Sequence, residues 1–277
     1  MHLSRREFLA ATAAGAAVAG RLLADPLGIP IGTQTYPIRD ALGKDFPGML
    51  KQVAGMGYKT IEMCSPPGYK EGFGALASLS AAEMKKTIEA AGLRCESCHY
   101  QFRELRENLD ERIAFARELG LKQMILSTFA LPNTAKMADW AKAAGDLNQI
   151  AAKIGQAGLQ AGFHNHNFEF QKIDNELIYD RLMSEFDPKL VKMQFQVAVI
   201  SIGYKAATYM TKYPGRFLSM HLADWSAKTG EQAAVGSGSV DWKELFAAAK
   251  TGGVKNYFVE MNLEFMKPSY DFLHSLQ

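Results

Sequence analysis

Short apolar runs alternate with longer amphipathic runs from residue 29 to the end of the chain, and the cycle repeats eight times. The short runs have the length and the β-branched and aromatic content of buried strands, whereas the longer runs carry apolar residues at helical spacing. One helix start is well marked, because Ser80 precedes "AAEMKKTIEAAG" with Glu83 three residues later and Gly92 at the end. Eight strand–helix cycles predict an α/β fold of the (β/α)8 barrel type, formed by residues 26–277 as a single domain.

The boundaries of the strands follow from the same pattern. The predicted strands are "IPIGTQTYPI", "KTIEMCSP", "LRCESCHYQF", "LKQMILSTF", "LQAGFHNHNFEF", "LVKMQFQVAVI", "RFLSMHLADW" and "NYFVEMN", and the last predicted helix is the short segment "SYDFLHSL". A doubly wound open sheet is the main alternative, but it would normally carry a glycine-rich fingerprint after its first strand. The segment "IGTQTYPIRD" has none, which favours the barrel.

Rare polar residues collect near the carboxyl ends of the predicted strands. These residues are His99, His164, His166, His221, Glu62, Gln196, Glu260 and, just after strand seven, Asp224. In a (β/α)8 barrel the carboxyl ends of the strands form one rim, and that rim carries the chemistry. Ionisable groups on apolar strands are costly unless they are paired, hydrated or bound to an ion, so a shared polar site is predicted there.

Four consecutive strands, five to eight, offer nitrogen and oxygen ligands for a metal ion. The candidates are His164 or His166, then Gln196, His221 and Glu260. Such a mixed set suits Mn²⁺, Mg²⁺, Zn²⁺ or Co²⁺, and no cysteine at the rim requires a softer metal. We therefore expect one divalent metal ion. Gln34, Glu62, Asn165 and Asp224 are predicted to contact the substrate.

Residues 1–25 read as a twin-arginine export signal, because Arg5 and Arg6 precede a short alanine-rich apolar run. Cleavage near Ala24 would remove three of the 31 basic and one of the 29 acidic residues and leave 28 of each. A neutral mature chain gives no reason to expect nucleic acid or an anionic membrane as a partner. The expected location is the periplasm, without stable membrane insertion after processing, and a homo-oligomer is left open.

Cys95 and Cys98 form a Cys-x-x-Cys pattern, but it falls in a predicted strand. Residues three apart on a strand face opposite sides at roughly 10 Å, beyond the ~7 Å that a disulfide allows. The two cysteines are therefore expected to be free and to lie in the core or at the rim.

Six segments together resemble the sugar phosphate isomerase/epimerase family, which has a xylose isomerase-like barrel, and in particular its exported branch. They are "IGTQTYPIRD", "YKTIEMCSPPGY", "GFHNHNFEF", "KYPGRFLSMHLADW", "VGSGSVDW" and "NYFVEMN". The resemblance implies a metal set of Glu, Asp, His and Glu on strands five to eight. His221 and Glu260 match that set, whereas His164 and Gln196 stand where the family has Glu and Asp, and "HLAD" keeps Asp224 but lacks the frequent lysine.

The resemblance implies a metal-dependent isomerase or epimerase that moves a proton next to the carbonyl of a sugar or keto-sugar. Glu260 is the expected carboxylate base, and His166, His99 or Glu169 is expected to supply the second acid or base. One alternative is a lyase or dehydratase that eliminates from a keto-sugar or 3-keto-glycoside on the same site. An alternative of another class is a sugar-binding barrel without catalysis, because two of the four implied ligands are replaced.

Overall fold

A computed structural model describes residues 25–276. The export signal predicted for residues 1–25 lies outside this range except for its last residue, and it stays a prediction. Eight parallel strands close into a barrel. They are β1 (Gly32–Gln34), β2 (Thr60–Cys64), β3 (Arg94–Tyr100), β4 (Gln123–Leu126), β5 (Gln160–His164), β6 (Val191–Gln196), β7 (Phe217–Leu222) and β8 (Asn256–Val259). Their order around the barrel is β1-β8-β7-β6-β5-β4-β3-β2. The predicted (β/α)8 barrel is confirmed.

Helices cover the outside of the barrel. They are α1 (Arg39–Lys44), α2 (Phe46–Gly55), α3 (Ala81–Ala90), α4 (Phe102–Glu107), α5 (Leu109–Leu119), α6 (Met137–Gln156), α7 (Ile178–Glu185), α8 (Ala206–Lys212), α9 (Trp242–Gly252) and α10 (Leu263–Ser275). The strands are buried on both faces, by side chains inside the barrel and by helices outside, as their near-continuous apolar runs require. Among the described helices, none combines the length and the apolar character needed to cross a membrane.

The predicted start of α3 is confirmed. The Ser80 hydroxyl accepts a hydrogen bond from the backbone N–H of Glu83, and the Glu83 carboxylate accepts one from the backbone N–H of Ser80. Gly92 follows the helix end at a φ of +79°, a conformation that glycine adopts without strain. The cysteine prediction also holds, since Cys64, Cys95 and Cys98 are all free and buried.

Several predicted boundaries were wrong. The first strand ends at Gln34, and Tyr36–Ile38, predicted as part of it, form a 3₁₀ turn. The fifth strand ends at His164, and residues 168–170 form a 3₁₀ turn instead of continuing it. The sixth strand ends at Gln196, and the apolar segment Val197–Ile202 is also 3₁₀. The last helix begins at Leu263, ahead of the predicted segment, and contains Pro268.

Two small antiparallel hairpins project from the carboxyl end of the barrel. One pairs Lys172–Ile173 with Glu176–Leu177 after β5, and the other pairs Asp224–Ser226 with Glu231–Ala233 after β7. Both hairpins follow strands that carry predicted site residues. The described loops at this rim are therefore more elaborate than simple turns.

Candidate active site

Glu62, on β2, is the centre of a hydrogen-bond network inside the barrel and is not exposed to solvent. Its carboxylate accepts bonds from Gln34 Nε2 at 2.8 Å, Gln194 Nε2 at 2.8 Å and Ser97 Oγ at 2.5 Å, and it also contacts His221 Nε2. Burial alone would raise the pKa of Glu62, but the neighbouring histidines and these donors lower it to about 2. Both oxygens are occupied within the protein. Glu62 and Gln34 were predicted to contact the substrate. This geometry instead favours a role in orienting neighbouring side chains such as His221.

His221, on β7, lies between two carboxylates. Its Nε2 contacts Glu62 and its Nδ1 lies 3.1 Å from Glu260 Oε2. Burial would lower the pKa of His221, but the charges of Glu260 and Glu62 outweigh it and raise the pKa to about 10. His221 thus links the buried floor of the site to Glu260, whose side chain keeps 20% of its surface exposed.

Gln196, at the end of β6, joins the same cluster. Its Nε2 donates to Glu260 Oε2 at 2.5 Å, and its Oε1 accepts from the backbone N–H of Ala198 at 3.2 Å. The Asn165 side-chain oxygen accepts from the backbone N–H of Gln196, and Asn165 is fully buried. Asn165 therefore ties the chain after β5 to β6, which favours a structural role over the predicted substrate contact.

Three histidines from alternate strands come together beside Glu62. His99 on β3, His164 on β5 and His221 on β7 are buried. One ring nitrogen from each of the three lies within 4.8 Å of the other two nitrogens. Burial lowers the pKa of His99 and of His164, so both rings are neutral near pH 7. Neutral imidazole is a metal ligand, and these three residues could hold a metal ion.

His164 and His166, which both fall in the fifth predicted strand, are neighbours in space. The rings lie 4.8 Å apart between centroids and nearly perpendicular, although β5 ends at His164 and His166 belongs to the following loop. The His166 ring also stacks on Phe168 at 5.1 Å. Burial lowers the pKa of His166 to about 4 and so keeps its ring neutral.

Glu169 lies in the same loop and is fully buried. Its Oε2 accepts a bond from the backbone N–H of His166 at 2.7 Å, and its Oε1 has no partner among the described residues. Burial raises the pKa of Glu169 to about 8, so this carboxyl group keeps its proton at neutral pH.

Asp224, directly after β7, has a different setting from the other predicted site residues. Its carboxylate accepts bonds from the backbone N–H groups of five residues and from Trp242 Nε1; the five are Trp225, Gly236, Gly238, Ser239 and Val240. The glycines are required here, since a Cβ on Gly238 would lie 2.1 Å from the Asp224 carboxylate. Asp224 is 1% exposed and organises the loop 236–240, and this geometry favours a structural role over the predicted substrate contact.

Sequence reasoning missed Ser97, Gln194 and Ser219. Gln194 Nε2 donates to Glu62 and to Ser219 Oγ at 2.8 Å each, and Gln194 Oε1 lies 2.6 Å from His99 Nε2. Each of the three stands two residues before a predicted site residue on its strand. Strand alternation gives residues at this spacing the same face, so the signal was present in the sequence.

The fold and this cluster define a (β/α)8 barrel with a polar centre at the carboxyl ends of its strands. Residues 50–267 match the family described as Xylose isomerase-like TIM barrel. The chain belongs to that family, which confirms the family resemblance inferred from the motifs; the exported branch stays a prediction.

The individual relatives described next share less than 25% of their sequence with this chain. A sugar phosphate isomerase/epimerase from Parabacteroides distasonis is similar in structure, with a TM-score of 0.74 at 24% identity over 89% of this chain and 94% of that one. A xylose isomerase-like TIM barrel protein from Mycobacterium smegmatis in complex with magnesium gives a TM-score of 0.66 at 13% identity, over 90% and 97%. An inosose dehydratase from Geobacillus thermodenitrificans is 22% identical over 214 residues, which are 64% of this chain and 71% of the relative. At these identities the solved structures establish the fold alone.

Proposed function

We propose that the chain is a metal-dependent isomerase or epimerase that moves a proton next to the carbonyl of a sugar or keto-sugar. One observation carries the proposal: Gln196 Nε2 and His221 Nδ1 both meet Glu260 Oε2 at the open end of the barrel, at 2.5 and 3.1 Å. His164 completes the predicted ligand set, with its ring centroid 4.4 Å from that of His221. The family, and the sugar phosphate isomerase/epimerase among the similar structures, support this class of reaction.

The residues present fit a divalent cation. Metal-bound histidines usually donate the N–H of the second ring nitrogen to a carboxylate, a backbone carbonyl or water, and His221 has the Glu62 carboxylate in that place. His164 Nδ1 is buried without a hydrogen-bond partner among residues 25–276, so it has a lone pair or a proton to satisfy. His164, His221 and Glu260, with the Gln196 amide, would hold Mn²⁺, Zn²⁺, Mg²⁺ or Co²⁺. A bound cation supplies Lewis-acid polarisation of the substrate carbonyl and its neighbouring hydroxyl group.

Glu260 is the group best placed to accept the proton from carbon. Burial would raise its pKa, but His221 lowers it, so the carboxylate is ionised at neutral pH. Its side chain is partly exposed, whereas Glu62 is sealed beneath the histidines. Transfer of the substrate proton to Glu260 leaves an enediolate, which is neutralised when a proton returns to the neighbouring carbon or to the opposite face of the same carbon.

The returning proton requires a second group. Glu169 is protonated near pH 7 and lies in the loop that follows β5. His166 belongs to the same loop, and its neutral ring lies 4.8 Å from the His164 ring between centroids. His99 lies deeper, where its Nε2 faces Gln194 and Glu62. This placement favours Glu169 or His166 as the second acid or base and favours a binding role for His99.

The test is incubation with a panel of keto-sugars and 3-keto-glycosides in D₂O, followed by NMR. We expect deuterium at the carbon next to the carbonyl of one substrate class, and loss of that exchange in Glu260→Gln. His274→Gln serves as the control, because His274 lies on α10 and pairs with Asp25. Bound sugar without exchange, or exchange that Glu260→Gln leaves unchanged, would refute the proposal.

A lyase is the second candidate, because a relative at 22% identity is an inosose dehydratase. The same enediolate would then expel a leaving group from the next carbon instead of taking up a proton. In the D₂O experiment, an unsaturated product with the loss of water or of an alcohol would identify this reaction.

A further inference from the structure

The three buried histidines form a layer across the barrel. His99, His164 and His221 come from β3, β5 and β7, and side chains from alternate strands share one level of a (β/α)8 barrel. Their ring centroids lie 5.0, 5.1 and 4.4 Å apart, taken as His99–His164, His99–His221 and His164–His221. Each ring therefore contacts both of the others.

The surroundings of these rings resemble the support of a metal site. Glu62 contacts His221 Nε2 and lies 3.3 Å from His99 Nε2, so one buried carboxylate faces two of the three imidazoles. Gln34, Ser97 and Gln194 hold that carboxylate in place. His164 is 2% exposed, and its Nδ1 has no hydrogen-bond partner among the described residues. A carboxylate behind a metal-bound imidazole fixes the ring and strengthens it as a ligand.

We propose that His99, His164 and His221 together bind one borderline divalent cation, Zn²⁺ or Co²⁺, with Glu62 as the supporting carboxylate. This inference rests on the proposed function, which supplies the reason to expect a cation, and it specifies the ligands of that cation. His99 takes the place of Gln196 and Glu260 in the ligand set. His221 gives up one of its two carboxylate contacts when it binds. His221 is protonated in the metal-free chain and would release its ring proton on binding. Three imidazole nitrogens favour Zn²⁺ and Co²⁺ over Mg²⁺, which prefers oxygen ligands. Glu260 then stays free to accept the substrate proton.

The number of histidine ligands can be counted directly in the wild-type chain. Metal-free protein is loaded with Co²⁺, and the exchangeable imidazole N–H resonances that the paramagnetic ion shifts far downfield are counted by NMR in H₂O. We expect three such signals, one for each histidine. The mixed set of His164, Gln196, His221 and Glu260 would give two, and that result would overturn the inference while leaving the proposed function intact.

Two variants then separate the ligand sets by equilibrium dialysis with Co²⁺ and with Mg²⁺. His99→Gln should weaken Co²⁺ binding at least tenfold, roughly the smallest loss seen when even a supporting residue is removed. Glu260→Gln should weaken Co²⁺ binding by less than the about tenfold loss expected for His99→Gln. His274→Gln is the control, because His274 lies on α10 and pairs with Asp25, and it should leave Co²⁺ binding unchanged. Wild-type protein should bind Co²⁺ at least about tenfold more tightly than Mg²⁺. Preference for Mg²⁺, the reverse order of the variants, or no Co²⁺ binding would each refute the inference.

Discussion

Glu169 makes the stability of the chain depend on pH in a direction that can be calculated. The folded protein keeps the carboxyl proton up to a pKa of about 8, whereas the unfolded chain loses it near the usual value of 4.5. Between these values the folded state holds one proton more than the unfolded state, so rising pH destabilises the fold. Each pH unit costs about 1.4 kcal/mol. The cost at pH 7 is therefore about 3 kcal/mol, and it levels off above pH 8.

Glu169→Gln should remove this cost and retain the local contact. The glutamine oxygen can accept the bond that Glu169 Oε2 now accepts from the His166 backbone N–H, and the amide carries no titratable proton. We expect the variant to match wild type near pH 4.5 and to be more stable by about 3 kcal/mol at pH 7. The shape and volume of the side chain are nearly unchanged, so packing contributes little to the difference.

The assay is urea unfolding of both proteins at several values between pH 4.5 and pH 8.5. The difference between them is the informative quantity, because buried His99, His164 and His166 have lowered pKa values and change wild-type stability in the opposite direction below pH 6.5. That contribution is common to both proteins and cancels. A difference that is flat with pH, or that shrinks as pH rises, would show that Glu169 is ionised in the folded state.

Four further variants, with one control, test other parts of the chain. Glu260→Gln should lower turnover by at least about 100-fold without unfolding the barrel, and His221→Ala should abolish metal binding measured by elemental analysis, so wild-type values in both would contradict the proposed site. Asp224→Asn should cost about 3 kcal/mol in urea unfolding, because its amide group cannot accept all six hydrogen bonds, and a loss below 1 kcal/mol would argue against the structural role. Gly236→Ala should lower the free energy of unfolding by about 2 kcal/mol or more, because the φ of Gly236 is +91° and an added Cβ would lie 2.3 Å from the Phe272 ring of α10. The control is Gly155→Ala on α6, where an added Cβ meets open space, and it should be neutral or stabilising.

The barrel was predictable because its strands are buried on both faces and its helices on one. "KTIEMCSP" and "RFLSMHLADW" show this difference from the amphipathic segments that follow them, and both contain strands of the barrel. Strand ends were harder to predict. Phe168 and Phe170 are aromatic residues of the kind found in strands, but they lie in a 3₁₀ turn after β5, and residue type alone does not distinguish the two settings.

The last helix shows a second limit. Proline usually ends a helix, and the predicted segment begins directly after Pro268. In the structure Pro268 lies inside α10, and the hydrogen bond that it cannot donate would have gone to the carbonyl of Glu264. Both residues are exposed, so water can satisfy that carbonyl, and sequence gives no indication of this compensation.

The position of the candidate site was predictable from the sequence, but the role of each polar side chain within it was not. Polar residues at the strand ends do meet at one rim, as the topology requires. The sequence does not reveal that the Glu62 carboxylate faces inward to two histidines, or that Asp224 accepts six hydrogen bonds. Those roles depend on strand tilt and loop path, which set the partners of each side chain and are not encoded in local spacing.

The Asp224 carboxylate holds its loop through backbone N–H groups, and this has a consequence for how the chain can change. Main-chain donors are the same whichever side chain a residue carries, so Ser237, which bonds through its backbone N–H, can be exchanged while the frame of the loop persists. The Ser239 hydroxyl also accepts a bond from the Ala227 backbone N–H, so that position is more restricted. In a randomised library of residues 235–240, we expect variants at Ser237 to remain folded and those at the glycines to be depleted. Such a rim segment offers a place where new specificities can be selected without disturbing the centre of the barrel.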